Sequence, residues 1–293
     1  MPTAPSDRLA TKGGLLDRVP DFIFNASLET PYTPTSIVHL SRAKHILRKS
    51  ELLEIPLELS SLQLELGMYT TTMLGADEAA ICLATLRAEA GGATESEAQE
   101  LLDYIRLARF GSELILSTPV TNRVATMAKC ALNVVTRSNC AVDVRGCFAQ
   151  IEILKMTGPI AVSLAYGAAT LLETTGDVDV QTGPEGRIVF AGCQGNATLR
   201  SAGAIDIKIT DQVFQGSLEA STREMPIRIL IPRGFRSSFE VIAPELICRA
   251  DISPQVQRRQ DNEQVVAHYG ASEPNVLFHS SRGTVVIDNS TEE

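Results

Sequence analysis

The sequence contains no tryptophan, and only 5% of its 293 residues are aromatic. It also lacks a long hydrophobic run, because no apolar stretch approaches the roughly twenty residues that a membrane-spanning helix requires. Six cysteines and four histidines are scattered along the chain without a Cys-x-x-Cys pair, which is not the spacing of a zinc site. We therefore expect no membrane span, no metal and no cofactor, and a core of aliphatic side chains rather than large rings.

The chain has no excess of positive charge, since its formal net charge is −9. Phosphate binding needs Lys and Arg clustered on one face, so we expect no nucleic-acid partner. One local exception is the segment 42–49, in which five of eight residues are basic. We interpret it as a short solvated helix or loop, and the alternative is a docking patch for an anionic partner.

The N-terminal residues show no charged region followed by an apolar one, which is the pattern of a signal peptide. This favours a cytoplasmic protein, or a secreted one if a leader is missing from the sequence. Most of the cysteines stand beside β-type segments. We expect them to be reduced and to behave as small buried hydrophobic residues.

Turn residues recur in two interleaved series between Asn139 and Arg223. The first series has spacings of 18 to 21 residues and consists of Asn139, Gly158, Gly176, Gly195 and Gly216. The second has spacings of 17 to 21 residues and consists of Gly146, Gly167, Gly186, Gly203 and Arg223. A fixed period near twenty is typical of a solenoid, in which each unit buries its apolar face by stacking on its neighbours.

Apolar residues occupy every second position in the segments between these turns, as in half-buried strands. On one face, the residues predicted to point inward are Val142, Val144, Val162, Leu164, Val178, Val180, Ala197, Leu199, Leu218 and Ala220. On the other face, the residues predicted to point inward are Ile151, Ile153, Ala169, Leu171, Ile188, Phe190, Ile205, Ile207, Ile227 and Ile229. Two segments per repeat predict a flattened coil over residues 131–231, with rungs of about 18 to 21 residues.

The rest of the chain is organised around this coil. Residues 1–50 are rich in Pro, Thr and Ser without a sustained period, which indicates an irregular extension before a β domain over 51–293. A capping-box pattern from Thr94 to Glu97 predicts an amphipathic helix over about 95–105. The polar stretch at about 253–274 is predicted to be a long loop, and 275–288 a strand pair that caps the coil.

The fold class that these patterns predict is all-β. It is a two-faced β-solenoid, similar to a parallel β-helix, with one short amphipathic helix in its N-terminal lead-in. Such a coil exposes unpaired strand edges at its ends, so self-association through the ends is an open alternative for its assembly.

The segment Leu171–Val180 reads Leu-Leu-Glu-Thr-Thr-Gly-Asp-Val-Asp-Val and resembles the recurring Thr-Thr-Ser/Thr-Gly-Asp-Ile/Val unit of the adhesin-like domains of the β-solenoid type. A weaker copy lies at Ser221–Ile227 and a degenerate one at Ser280–Ile287. The resemblance covers residues 57–288. It implies a β-solenoid fold and surface attachment, and it brings no shared catalytic residues.

Four charged residues form the candidate surface-binding ladder: Asp177, Asp179, Arg200 and Glu219. The two aspartates share a face at positions i and i+2, and Arg200 and Glu219 are expected beside them on adjacent rungs. Such residues are what an outward sheet face requires. Paired carboxylates also perform acid/base catalysis when their environments separate their pKa values, as in enzymes that cleave polysaccharides.

The sequence favours a scaffold over an enzyme. It contains no Gly-x-Ser-x-Gly, phosphate-binding loop or His-Glu-x-x-His motif. The central rungs supply few aromatic platforms for a sugar, since Tyr166 is one candidate and Phe190 is predicted to point inward. We predict a non-enzymatic structural or interaction protein that presents a repetitive polar surface to a protein or glycan partner. The alternative is a carbohydrate-active β-helix enzyme that uses the outward carboxylates.

Overall fold

The computed structural model describes residues 43–56, 58–67, 70–76, 82–117, 128–259 and 264–290. These residues contain 23 strands and one helix, and the strands form two sheets, sheet A with 11 strands and sheet B with 12. For the described residues, the prediction of a mainly β protein with one short helix is confirmed.

The described N-terminal residues form seven strands and the helix. They are β1 His45–Ile55, β2 Ser61–Leu66, β3 Thr70–Ala76, β4 Cys82–Gly92, α1 Glu95–Tyr104, β5 Arg106–Phe110, β6 Glu113–Ser117 and β7 Ala128–Thr136. Strand β1 begins six residues before the predicted boundary at Glu51, because all 11 of its residues pair with β4 in antiparallel register. The interpretation of 42–49 as a solvated helix or loop is therefore wrong from His45 onward. Residues 1–42 of the predicted extension lie outside the described residues.

Helix α1 begins at the predicted capping box. Thr94 Oγ1 accepts a hydrogen bond from the Glu97 amide at 3.2 Å, and Glu97 Oε2 accepts one from the Thr94 amide at 3.3 Å. These bonds satisfy amides that the first turn of a helix leaves without a partner. The buried residues Ala98 and Leu102 lie on the side of the helix that contacts β1 and β4, so the apolar stripe serves packing on a sheet.

Ten strands between Ala141 and Ile231 alternate between the two sheets. They are β8 Ala141–Gly146, β9 Ala149–Leu154, β10 Ile160–Leu164, β11 Gly167–Leu172, β12 Val178–Thr182, β13 Arg187–Ala191, β14 Ala197–Ser201, β15 Ala204–Lys208, β16 Leu218–Thr222 and β17 Ile227–Ile231. The even-numbered strands lie in sheet B and the odd-numbered ones in sheet A. Each strand pairs in parallel with the next member of its own series. The two turn series therefore mark the places where the chain crosses from one sheet to the other.

The core lies between the inward faces of the two sheets. All twenty residues predicted to point inward are buried, with exposed fractions between 0% and 4%. Neighbouring strands place like positions side by side, so that Val162 pairs with Val180 and Val180 with Leu199. This confirms the alternation read from the sequence, and stacking of aliphatic side chains removes their apolar surface from water.

The interior also contains a row of hydroxyl groups where alternation alone predicts apolar residues. The row consists of Thr182, Ser201, Thr222 and Ser280, which are in register on sheet B. Thr182 Oγ1 and Ser201 Oγ are 2.7 Å apart, and Thr222 Oγ1 lies 3.2 Å from Ser280 Oγ. Because each hydroxyl has a hydrogen-bond partner, the core accommodates them.

The described C-terminal residues form six more strands. They are β18 Phe239–Ala243, β19 Glu245–Cys248, β20 Val256–Arg259, β21 Val265–Tyr269, β22 Val276–Ser280 and β23 Thr284–Asn289. The prediction of a long loop over 253–274 is wrong, since this segment contains β20 and β21. The two strands pair antiparallel, and β21 extends sheet B through β18. The β-forming run Val-Val-Ala-His-Tyr of β21 outweighs its polar surroundings.

The strand pair predicted at 275–288 exists, but it does not cap the stack. Strand β22 lies between β16 and β18 in sheet B, and β23 lies between β17 and β19 in sheet A. The last strands of the chain are therefore inserted into the two sheets, and β18 to β21 lie beyond them.

All six cysteines are free thiols. Four of them are buried, and Cys147 and Cys248 are partly exposed. Burial raises the pKa of Cys130 to about 12, and burial also raises the pKa of Cys140 and of Cys193. Little reactive thiolate forms at these three residues near neutral pH.

The expected result of thiol titration is six free thiols in the denatured protein under non-reducing conditions. In the native protein, we expect fast reaction at Cys147 and Cys248 and slow reaction at the buried thiols, because only thiolates that solvent reaches are nucleophilic. A total of two or fewer after denaturation would show disulfides and an exported protein.

Candidate functional site

The residues of the predicted ladder lie on or beside the outward face of sheet B. Asp179 is on β12, Arg200 on β14 and Glu219 on β16, while Asp177 directly precedes β12. The side chains of Asp179 and Arg200 are 63% and 52% exposed. The site is therefore an open surface rather than an enclosed cavity.

The structure brings together one pair of the ladder residues and separates another. Arg200 Nη1 lies 3.6 Å from Asp179 Oδ1. Thr198 is opposite both Asp179 on one side and Glu219 on the other. Glu219 is thus two strands from Asp179, about 9.6 Å across the sheet, and its expected place on a rung adjacent to Asp179 is wrong.

Asp177 belongs to a hydrogen-bonded row in the turns before the sheet B strands. Asn196 Nδ2 donates to Asp177 Oδ1 at 3.0 Å, and Asn196 Oδ1 accepts from Ser217 Oγ at 3.0 Å. Neither Asn196 nor Ser217 was predicted to be a site residue. A signal was present, since each of the three follows directly after a glycine of the first turn series.

A shallow groove of about 490 Å³ crosses the starts of β2, β8, β10, β12 and β14. Its polar lining consists of Ser61, Gln63, Asp143, Asp177, Asp179, Asn196, Thr198 and Ser217. Ala161 lies opposite Asp143 on one side and Asp179 on the other. The small alanine leaves a depression between two carboxylates, and we call this feature the acidic groove.

Each of the two aspartates that flank Ala161 has an arginine as its ion-pair partner. Asp143 Oδ2 lies 2.8 Å from Arg145 Nη2, and Asp179 has Arg200 as its ion-pair partner. Carboxylates on such a surface accept hydrogen bonds from hydroxyl groups and pair with cations.

The aromatic residues of the central rungs lie away from the acidic groove. Phe190 is 1% exposed and points inward, as predicted. Tyr166 is partly exposed and stacks on Phe148, with ring centroids 4.6 Å apart and planes inclined by 10°. Both of these rings belong to turns that follow the ends of sheet B strands, whereas the groove lies at the strand starts.

The described part of the chain contains neither a cluster of metal-ligating side chains nor a membrane-spanning helix. No group of three or more His, Cys, Asp or Glu side chains there has an arrangement that could hold a metal ion. Within the same residues, no helix is both long and apolar enough to cross a membrane.

No family model matches the chain, and a search of curated proteins gives no match. The chain is similar to the crystal structure of a proposed cell adhesion protein from Clostridium sporogenes, at 10% identity over 83% of this chain and 100% of that one, with a TM-score of 0.33. It is also similar to a proposed adhesin from Bacteroides fragilis, at 12% identity over 85% and 98% of the two chains, with a TM-score of 0.42. A proposed adhesin from Parabacteroides distasonis is also similar, at 11% identity over 83% of this chain and 97% of that one, with a TM-score of 0.32.

Proposed function

We propose that the chain is a non-enzymatic interaction protein with an adhesin-like role, a two-faced β-solenoid that presents the acidic groove to a protein or glycan partner. The alternation of β8 to β17 between two sheets and their parallel register support the solenoid form. The acidic groove is the observation that carries the binding proposal. It offers several polar side chains over one continuous depression of the outward face of sheet B.

The chemistry of the acidic groove favours hydroxyl-rich or positively charged ligands. Asp143 and Asp179 present carboxylates from two strands, and Thr198 adds a hydroxyl group beside them. Asp177 and Asn196 hold each other through their hydrogen bond, so part of the lining is already ordered. Ordered ligand-binding groups lose less conformational entropy on binding than mobile ones. Sugar hydroxyls, or the Lys and Arg side chains of a protein segment, fit this set of acceptors.

The arrangement gives less support to an acid/base mechanism built on Asp179 and Glu219. Glu219 is not among the residues that line the acidic groove. The strand between the two carboxylates carries Thr198 in register with both. A carbohydrate-active enzyme would need the two carboxyl groups to flank one glycosidic bond. This alternative is one of the outcomes that the experiment below distinguishes.

The double variant Asp143→Asn/Asp179→Asn is expected to keep the fold and to weaken ligand binding by about tenfold or more, because each charged hydrogen-bond acceptor contributes about 1.5–3 kcal/mol. The matched control is Glu219→Gln on the same face outside the groove, which should bind like the wild type. Binding is measured for all three proteins on an array of neutral and acidic glycans and on Lys- and Arg-rich peptides, with thermal unfolding as the check on folding.

Three results would contradict the proposal. The first is a wild-type protein that binds none of these ligands, and the second is equal loss of binding in the control. The third is cleavage of a polysaccharide by the wild type that disappears in an Asp179→Asn/Glu219→Gln variant, which would establish the enzyme instead.

A further inference from the structure

The four edges of the two sheets differ greatly in length. Strands β19 and β20 have four residues each and β5 has five, whereas β1 has 11. Short edge strands are one means by which proteins avoid pairing with other chains. Strand β1 extends over about 36 Å, and in the described sheets it pairs on one side only, with β4. It is the one long edge among the described strands.

Side chains on the inward face of β1 hold this edge in place. Lys49 Nζ lies 2.8 Å from Glu51 Oε1 and also donates to the carbonyl oxygen of Ile105. Glu51 Oε2 accepts a hydrogen bond from the Leu107 amide at 3.2 Å. The strand is therefore anchored both by β4 and by the segment that follows α1. An edge that is already extended loses little conformational entropy when another strand joins it.

The outward face of β1 carries apolar side chains in an exposed position. Leu52 is 61% exposed and Ile46 is 43% exposed. Leu52 is among the most exposed large hydrophobic residues of the described chain, and the Arg48 side chain near it is 74% exposed. A long exposed edge with apolar side chains is a site at which chains associate.

The charges on β1 select a particular occupant and orientation. The first half of the strand contains Arg48 and Lys49, and the second half contains Glu51 and Glu54. With a two-fold axis at Ser50, antiparallel pairing places Lys49 of each copy opposite Glu51 of the other and Arg48 opposite Leu52, whereas parallel in-register pairing would place like charges opposite each other and be destabilised. The strand is therefore complementary to itself.

We propose that β1 pairs antiparallel with β1 of a second copy of this chain, about a two-fold axis near Ser50. The contact is isologous, so it closes as a dimer rather than growing into a fibre. It joins two 11-stranded sheets A into one continuous sheet. The acidic groove is on sheet B, and this proposal does not depend on the proposed function.

The first test is Leu52→Lys with Leu230→Lys as its matched control. With the axis at Ser50, residue 52 lies opposite Arg48 of the second copy, so two lysines enter the contact next to two arginines. We expect the dimer dissociation constant to rise by about tenfold or more. Leu230 is also exposed, at 38%, but it lies on β17, the ninth strand of sheet A counted from β1. The Leu230→Lys variant should therefore dimerise like the wild type.

Sedimentation velocity over a concentration series measures these constants, and thermal unfolding confirms that each variant is folded. A wild-type chain that remains monomeric at every concentration overturns the proposal. So does a dimer with the same dissociation constant in the wild type and in Leu52→Lys.

The second test addresses orientation without disturbing Leu52. Ser50→Cys is expected to cross-link two copies under mild oxidation, because the axis brings residue 50 close to its counterpart. Ile46→Cys is expected not to cross-link, since antiparallel pairing places its counterpart about 26 Å away along the strand. The wild type, with its own six cysteines, provides the background rate. Cross-linking at residue 46 as fast as at residue 50 overturns the antiparallel pairing.

Discussion

Replacement of Ile207 by Asp is expected to lower the free energy of unfolding by about 4 kcal/mol or more. Ile207 on β15 is 2% exposed and lies between Phe190 and Ile229 on the neighbouring strands. A carboxylate at this position would lose its hydration without gaining a partner, while the stacked aliphatic contacts would be lost. Urea-induced unfolding, followed by circular dichroism, measures the change.

The matched control is Lys208→Asp at the next position of the same strand. Lys208 is exposed on the outward side of sheet A, so we expect a change below about 0.5 kcal/mol. Comparable losses in the two variants would contradict the assignment of inward and outward faces in β15, and with it the alternation on which both sheets depend.

Replacement of Gly203 by Ala is expected to cost about 3 kcal/mol. A Cβ atom on Gly203 would lie 1.7 Å from the carbonyl oxygen of Gly186. Both glycines belong to the second turn series, so the clash is between the backbones of two stacked turns. Because the obstacle is a backbone atom, no rotation of a side chain relieves it. Thermal and urea unfolding measure the loss.

The control for this substitution is Gly75→Ala within β3. No atom lies within 4 Å of the position where its Cβ would be placed. We expect a neutral or slightly stabilising effect, since alanine has fewer unfolded conformations than glycine. A Gly203→Ala variant as stable as Gly75→Ala would show that the turns do not stack as the structure places them.

The ten strands β8 to β17 were predictable because the determinants of their turns and faces are local. Glycines such as Gly158 and Gly176 mark where turns pass close to one another, and residues between them follow the two-residue period of a strand. Nearest neighbours in such a stack are also neighbouring repeats in the sequence. For the same reason Asp179 and Arg200, one repeat apart, could be expected to meet.

The ends of the stack were not predictable from local pattern. The segment Val276–Ser280 reads as a strand, but nothing within it shows that it pairs with β16 on one side and β18 on the other. Strand β1 was missed for a similar reason, since its basic residues resemble a solvated surface segment and its pairing partner lies about forty residues away in β4. Long-range strand pairing depends on which edges remain open, which a single segment does not encode.

The candidate site was predictable only in part. Asp177 and Asp179 were identified as charged residues on one face, but Asp143 was not connected with them. Ala161 lies between Asp143 and Asp179 only when the three strands are side by side. A depression made by a small residue is a property of neighbouring strands together, so reading each strand alone does not reveal it.

The most direct test of this account is the spatial order of the sheet B strands. Double electron–electron resonance measures the distance between a spin label at residue 63 and a second label at residue 219, 277 or 240, in three separate proteins. Cys147 and Cys248 are replaced by Ser in all three so that they are not labelled. The register places Gln63 five strands from Glu219, six from Leu277 and seven from Glu240. At about 4.8 Å per strand we expect distances near 24, 29 and 34 Å. The distances should therefore rise in the order 219, 277, 240, which differs from the order of the chain. A shorter distance from residue 63 to residue 240 than from residue 63 to residue 277 would contradict this order of the sheet B strands.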